Sequence, residues 1–198
     1  VSASAVGFYG SRGDEILDES ARAGDDFLAN LCCDWEAAAL RAAAAGIRVV
    51  TPRIGLVLGK EGGALQKMLL PFKSGLGCVL GSGKQWWSWI AIDDVLGAIY
   101  HAIADDRLAG PVNFVSPQPL TNGDFARTLA SVIGRPAIFT APAAALRLAL
   151  GEMADEMLLA SARVIPRRLD QSGYRIRFTE HEDCLRYSLG KARLESAE

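Results

Sequence analysis

The stretch IRVVTPRIG at residues 47–55 constrains the fold more than any other part of this chain. It is apolar and rich in β-branched side chains, without the strict alternation of a strand that has one face in water. Such a run is typical of a strand buried on both faces of a parallel sheet. It follows an Ala- and Leu-rich helical pattern at 26–45 that Gly46 closes, so the sequence predicts an α/β fold.

The other segments continue this alternation of strands and helices. Strands are predicted over 1–6, over GPVNFVS at 110–116, over YRIRF at 174–178 and as two short pieces around a glycine turn in 78–92. Helices are predicted within GGALQKMLLPFKSG until Pro71 and Gly75, over 93–106, over 121–134 with Thr121 as N-cap, over most of 141–166 and from near Glu180 onward. A polar surface loop is expected at 10–25. The character of the sequence changes after Pro136, so a domain boundary is expected at residues 135/136.

Charge and cysteine usage exclude several classes of protein. The formal net charge is −2, with acidic and basic residues mixed along the chain, so no basic surface for nucleic acid is predicted. The longest apolar runs are short, and Arg147 interrupts PAAALRLAL, which argues against a membrane span. The four cysteines form no C-x-x-C pair, and the chain holds only two histidines. No metal site is therefore predicted, and the cysteines are interpreted as reduced thiols of a cytoplasmic protein.

Most short motifs fail on inspection. The segment GSGKQ falls short of a phosphate-binding loop, since G-x-x-x-x-G-K-[ST] would need Gly where Cys78 stands and Ser or Thr where Gln85 stands. No G-x-G-x-x-G, H-E-x-x-H or G-x-S-x-G occurs. The acidic pair at 93–94 suits a metal, but its place at a predicted helix start favours a structural role.

Three tryptophans within WWSW at 86–89 suggest a wall between core and pocket. In a strand, Trp87 and Trp89 share one face while Trp86 points away. One interpretation places a face in the core, and the other lets a face line a pocket, where tryptophan is large, rigid and carries one donor. The two are compatible. We expect Trp89 in the core, with Trp86 or Trp87 at the border of a cleft.

Taken together and in order, six segments resemble the extended short-chain dehydrogenase/reductase superfamily, in its branch of nucleoside-diphosphate-sugar epimerases. These segments are SASAVGFYG, RIGLVLG, GGALQKML, GSGKQWWSWIAIDDV, GPVNFVSPQPLTNGDFA and RVIPRRLDQSGYRIRF. The resemblance implies a Rossmann-type parallel sheet that binds NADP. Residues 1–135 would form its latter part with substrate-domain insertions, and residues 136–198 a small C-terminal domain.

The resemblance also implies that the chain is the C-terminal two-thirds of such a protein. The opening residues from Val1 already have the character of a core strand, and no glycine-rich phosphate-binding turn occurs. The half that binds the cofactor phosphates is therefore expected upstream. Weak NADP binding by these 198 residues alone, and self-association or pairing with the other half, are the corresponding expectations.

Site residues follow from the same resemblance. Ser4 matches the active-site serine that hydrogen-bonds a substrate oxygen, although a small residue packed in a strand is the alternative. The Tyr-x-x-x-Lys frame of the superfamily falls on Cys32 and Glu36, so the usual proton-transfer pair is missing. A helix start lowers a thiol pKa, whereas Glu36 one turn away raises it. The segment CCDWE is therefore expected to form a wall and contact the cofactor, with proton transfer by Cys32 as the alternative.

The rest of the implied site surrounds one cleft. Cofactor contacts are expected from Ser4 and Glu36 and from the strand end formed by Arg53, Ile54 and Gly55. We expect these positions to converge with Tyr9 and Cys32 at the carboxyl ends of parallel strands. Tyr9 is the phenol nearest to the predicted site and a candidate substitute for the missing acid. The alternative is that Tyr9 is a half-buried loop residue.

Two substitutions change the expected substrate. The positions where such epimerases hold a diphosphate with Asn and Arg appear here as Leu56 and Trp87, and neither supplies a charge-assisted donor. The pocket is therefore expected to take a small apolar or aromatic substrate, with Lys67 and Gln85 as polar contacts beside Trp87. Two functions stay open: an NADP-dependent epimerase or oxidoreductase of atypical site, or a catalytically silent NADP-binding sensor or scaffold.

Overall fold

The computed structural model describes residues 1–137 and 139–191. The strands are β1 (Ser4–Ala5), β2 (Ile16–Leu17), β3 (Val50–Ile54), β4 (Leu56–Leu58), β5 (Cys78–Leu80), β6 (Trp86–Trp87), β7 (Trp89–Ala91), β8 (Gly110–Phe114), β9 (Leu120–Thr121), β10 (Phe139–Ala141) and β11 (Arg163–Val164). The α-helices are α1 (Phe27–Leu40), α2 (Gly63–Lys73), α3 (Ile92–Ala104), α4 (Asn122–Ile133), α5 (Ala143–Leu150), α6 (Arg167–Gln171) and α7 (His181–Ser188). Short 3₁₀ turns span Val6–Tyr9 and Arg41–Ala45, and a π-helical turn spans Ala154–Leu159.

A parallel sheet in the order β1-β3-β8 lies at the centre of the fold. Its middle strand β3 is the β-branched run singled out in the sequence, and residues 50–53 are buried. The register sets Ser4 beside Arg53 and Arg53 beside Asn113. The predicted α/β class with parallel strands is confirmed. No helix within residues 1–137 and 139–191 is long and apolar enough to span a bilayer.

Helices α1 and α3 cover opposite faces of this sheet. Successive strand residues point to opposite sides, so Val50 and Arg53 face different layers. Val50 packs with Val95 and Ala98 of α3 in an apolar cluster. Arg53 instead meets the carboxylate of Glu36 on α1. The apolar layer stabilises the sheet, whereas the polar layer lies under the candidate site.

A second core joins the tryptophan segment to the C-terminal part of the chain. Trp89 is fully buried, as predicted, and clusters with Phe125 of α4 and Leu185 of α7. Helix α4 begins with the side chain of Thr121 accepting the N–H of Asp124 and ends at Gly134 in the left-handed conformation, as its sequence predicts. The division of the chain at 135/136 stays a prediction.

Helix α2 runs through Pro71 and ends at Lys73, between the two residues, Pro71 and Gly75, where its helical pattern is expected to stop. Proline removes one N–H of the helical ladder. The turn that follows is closed by other bonds: Ser74 N–H donates to Leu70 O at 3.1 Å and Gly75 N–H to Phe72 O at 3.1 Å. Because Phe72 is buried, packing holds the last turn in place.

Two strand predictions need correction. Residues 174–178 form no strand, because the backbone N–H groups of Arg177 and Phe178 donate to the Asp94 carboxylate at 2.7 and 3.0 Å instead of to a neighbouring strand. Asp94 thus has a structural role at the start of α3, as favoured above for the acidic pair. Residues 78–92 hold three short strands rather than two, β5, β6 and β7.

Candidate functional site

A buried polar network lies under the carboxyl ends of β1 and β3. Glu36 is at its centre and is held by three hydrogen bonds. The Ser4 hydroxyl donates to Glu36 Oε1 at 2.8 Å, Arg53 Nε donates to the same oxygen at 2.8 Å, and Arg53 Nη2 donates to Oε2 at 2.8 Å. Such a two-pronged arginine–carboxylate contact fixes orientation as well as charge. Arg53 of β3 therefore supplies the cation that pairs with the buried Glu36 carboxylate.

The network continues from Arg53 across the sheet. Arg53 Nη1 donates to the Tyr9 hydroxyl at 3.1 Å, and that hydroxyl donates to Asn113 Oδ1 at 2.7 Å. The guanidinium carbon also lies 3.3 Å from the centre of the Phe8 ring, in a cation–π contact. Asn113 Nδ2 in turn donates to the carbonyl of Ile165 at 3.0 Å. The Tyr9 hydroxyl thus donates one hydrogen bond, to Asn113, and accepts one, from Arg53.

Burial controls the protonation of these groups. Desolvation raises the pKa of the Tyr9 phenol, and the hydrogen bond and charge of Arg53 oppose that rise only in part. Desolvation likewise raises the pKa of the Cys32 thiol, against the opposing contacts of the Ala5 backbone and the Ser4 side chain. For Arg53, burial lowers the pKa, but its bonds to Glu36 and Tyr9 outweigh burial and hold it above the ordinary value. At neutral pH the phenol and the thiol are neutral and the guanidinium is charged.

An open cleft of about 300 Å³ lies above this network. Its floor comes from the strand ends and the turn after β1, and its walls come from α2, β6 and the π-helical turn. The lining residues are Ala5, Val6, Gly7, Gly10, Asp26, Leu28, Ile54, Gly55, Leu56, Ala64, Met68, Trp86, Trp87, Ser88, Glu156, Met157, Leu158, Ala160 and Ala162. Most are apolar, and the cleft opens at the carboxyl ends of parallel strands, where α/β folds bind their ligands.

The structure separates the residues predicted for the site into two groups. Ile54 and Gly55, predicted to contact the cofactor, and Trp87, predicted to contact the substrate, line the cleft. Ser4, Tyr9, Cys32, Glu36 and Arg53 converge with one another but lie in the layer beneath, each at most 7% exposed. The expected convergence is therefore present, with the polar groups under the cleft floor rather than on its surface.

The two other predicted substrate contacts lie outside the lining. The side-chain amide of Gln85 is buried and donates to the carbonyls of Leu80 and Leu158 at 3.0 and 3.1 Å. Gln85 thereby ties the glycine turn to the π-helical turn that forms one wall. Lys67 is exposed on α2 and does not line the cleft. Leu56 does line the cleft and brings no charge.

Gly55 allows the cleft floor to pack closely. A Cβ at this position would lie 2.5 Å from the carbonyl oxygen of Ser88 and 2.9 Å from a methyl of Val115. Contacts this short are not available to any other residue without moving the backbone. The glycine therefore lets the end of β3 approach the loop between β6 and β7, which brings Trp87 to the cleft.

Sequence reasoning missed the two carboxylates of the cleft, Asp26 and Glu156. Asp26 is the N-cap of α1, with Oδ1 accepting the N–H of Ala29 at 2.8 Å. Glu156 Oε1 accepts the N–H of Phe27 at 3.3 Å, so both acids meet the start of the same helix. An Asp just before the helical pattern at 26–45 could have been found as a cap. No sequence signal places Glu156, which reaches the cleft through a tertiary contact. No group of metal-binding side chains occurs in residues 1–137 and 139–191.

Two family models match the sequence. Residues 1–114 match the NAD dependent epimerase/dehydratase family, and residues 141–187 match a domain of unknown function, DUF1731. An epimerase family protein of Mycobacterium bovis is 43% identical over 192 residues, which is 97% of this chain and 62% of that protein. The chain spans about three fifths of the length of the mycobacterial relatives that it matches.

Solved structures agree with the fold. The human epimerase family protein SDR39U1, crystallised with NADPH, is similar with a TM-score of 0.87 and 37% identity, over 96% of this chain and 64% of that chain. The nucleoside-diphosphate sugar epimerase of Corynebacterium glutamicum gives a TM-score of 0.79 and 38% identity, over 98% of this chain and 38% of that chain. These matches confirm the predicted Rossmann-type fold and the epimerase branch of the superfamily.

Proposed function

The chain belongs to the NAD-dependent epimerase/dehydratase family, and we propose that it binds the nicotinamide end of NADP(H) and acts there on a small substrate other than a nucleotide sugar. The observation that carries the proposal is the cleft of about 300 Å³ at the carboxyl ends of β1 and β3. The similarity of the chain to a human protein crystallised with NADPH supports the choice of cofactor. A cytoplasmic location and self-association belong to the same proposal.

The described residues fit the ring end of the cofactor better than its phosphates. Ile54 and Gly55 line the floor, and Gly55 leaves no side chain in the way. No cationic side chain among the described residues lines the cleft, and the chain holds no G-x-G-x-x-G turn. Pyrophosphate needs such donors. When bound, the nicotinamide would supply or accept a hydride in the cleft.

Proton transfer in this cleft falls to a carboxylate. The Tyr9 hydroxyl and the Cys32 thiol lie beneath the floor, and burial raises both pKa values. Among the described residues, Asp26 and Glu156 are the acids that line the cleft. Asp26 binds its own helix through Oδ1, and Oδ2 accepts no hydrogen bond from the described residues. We therefore assign proton transfer to Asp26, with Ser4, Glu36 and Arg53 as positioning residues that hold the two strand ends together.

The second candidate is a silent NADP-binding protein. The burial of Tyr9 and Cys32 favours it, because neither the candidate substitute phenol nor the thiol in the family's proton-transfer frame reaches the cleft. In that case the cleft would bind the cofactor and transmit its presence without chemistry.

One experiment separates the two candidates. Reduced nicotinamide mononucleotide, which lacks the adenosine half, is titrated into the chain, and binding is read as quenching of tryptophan emission because Trp86 and Trp87 line the cleft. Hydride transfer to a panel of small apolar ketones is then read as loss of the reduced-nicotinamide absorbance. Turnover that Asp26→Asn lowers at least about a hundredfold supports an enzyme, and binding without turnover supports the silent protein. Absence of binding would contradict both.

A further inference from the structure

The cleft carries a net negative charge, and this limits what it can bind. Among its lining residues, Asp26 and Glu156 are acidic and none is basic. Arg163 stacks on the Trp86 ring at 4.2 Å without lining the cleft, and Arg53 lies beneath the floor with its charge paired to Glu36. The remaining lining is nearly all apolar, so the two carboxylates dominate the field inside.

Each carboxylate keeps one oxygen available for a ligand. Asp26 Oδ1 is held by Ala29 N–H, and Glu156 Oε1 by Phe27 N–H. The second oxygens, Asp26 Oδ2 and Glu156 Oε2, accept no hydrogen bond from the part of the chain that the structure describes. Both side chains are half-buried, and the apolar walls lower the local polarity. A charged donor placed there is bound more strongly than in water.

We infer that the substrate of this cleft is a small, largely apolar molecule that carries a protonated amine, an inference that rests on the proposed function. The amine would donate to the free oxygen of Glu156 in the field of both carboxylates, which leaves Asp26 Oδ2 for proton transfer, and its apolar body would lie against Trp87 and Leu56. An anionic ligand of the same size would meet two like charges without a compensating cation. The same field disfavours a nucleoside diphosphate, in keeping with Leu56 and Trp87 at the positions where such a group would be held.

A matched series of probes tests this charge preference without any cofactor. Benzylamine, benzyl alcohol and benzoate share one ring and differ in charge at neutral pH. Each is titrated into the full chain at low ionic strength, with tryptophan emission and calorimetry as readouts. Benzylamine is expected to bind at least about tenfold more tightly than benzoate, with benzyl alcohol between them.

Two substitutions locate the preference. Asp26→Asn and Glu156→Gln are each expected to reduce the amine-to-benzoate ratio by roughly threefold or more, and Asn remains a good N-cap for α1. Asp25→Asn and Glu152→Gln, which remove neighbouring exposed charges outside the cleft, are the matched controls and should leave the ratio unchanged.

Equal binding of the amine and benzoate, absence of binding by all three probes, or an equal effect of the control substitutions would overturn the inference. Because no cofactor is present, the outcome is independent of turnover. If the chain selects the amine but does not bind reduced nicotinamide mononucleotide, the charge preference stands and the proposed function is rejected. If it binds the nicotinamide but does not select the amine, the proposed function stands and the charge preference is rejected.

Discussion

Removing the carboxylate of Glu36 should destabilise the protein more than removing any single exposed charge. Glu36→Ala deletes the acceptor of three hydrogen bonds, two from Arg53 and one from Ser4. Arg53 is 3% exposed, so its charge would remain buried with only the Tyr9 hydroxyl and the Phe8 ring as partners. Breaking one side of a buried ion pair costs about 3–5 kcal/mol. We expect a loss of that size in the free energy of unfolding.

The double variant Glu36→Met/Arg53→Met separates the pair from its parts. With both charges replaced by apolar side chains of similar length, no buried ion is left unpaired, and most of the loss should be recovered. The Ser4 hydroxyl then lacks its acceptor, which costs about 1 kcal/mol. A double-mutant cycle on the full chain should therefore give a coupling energy of at least about 2 kcal/mol.

Urea unfolding followed by tryptophan emission measures these values, with the denaturant slope checked for constancy. The exposed pair Glu182–Arg186, which lies one turn apart on α7, is the matched control. Glu182→Ala should cost less than about 0.5 kcal/mol. A cost below about 1 kcal/mol for Glu36→Ala, or additive losses in the double variant, would refute the claim that this pair ties α1 to the sheet.

Three further predictions test other parts of the structure. Burial lowers the pKa of His181 to about 4 from 6.5, so below pH 6.5 the unfolded chain binds a proton that the folded chain does not. The free energy of unfolding should fall by about 2 kcal/mol between neutral pH and pH 5. His181→Phe should abolish this loss and the control His101→Gln should retain it, as measured by urea unfolding at each pH. Gly55→Ala should cost about 1–3 kcal/mol in thermal unfolding, because its Cβ would lie 2.5 Å from Ser88 O, whereas Gly62→Ala, which meets nothing within 4 Å, should be nearly neutral. NADPH should bind this chain less than about tenfold more tightly than reduced nicotinamide mononucleotide by calorimetry, since the phosphates find no cationic cleft side chain among the described residues; a hundredfold gain would contradict this.

The sheet could be predicted because its signals are local. Three local signals have strong backbone preferences that their neighbours do not oppose: the β-branched run at 47–55, the Thr121 cap and Gly134. The structure has a strand, a helix start and a helix end at these positions. The error at 174–178 has a tertiary cause. Asp94 takes the N–H groups that would have paired a strand there. This contact is not visible in a local pattern.

The depth of the site residues could not be read from spacing alone. Strand periodicity places Ser4 and Arg53 on one face of the sheet, but it does not say whether α1 closes over that face or leaves it open. In the structure α1 closes it, and the cleft is formed above by residues after the strand ends. Glu156 and the other residues of the π-helical turn come from the far end of the chain, and only tertiary packing brings them to Asp26.

The charge at position 36 explains why Arg53 stands in a buried strand. An arginine inside a strand buried on both faces would be costly without a partner. Glu36 supplies that partner from α1, and Tyr9 takes the remaining nitrogen. The pair therefore ties α1 to the sheet, and Asp26, the carboxylate to which we assign proton transfer, lines the cleft above it.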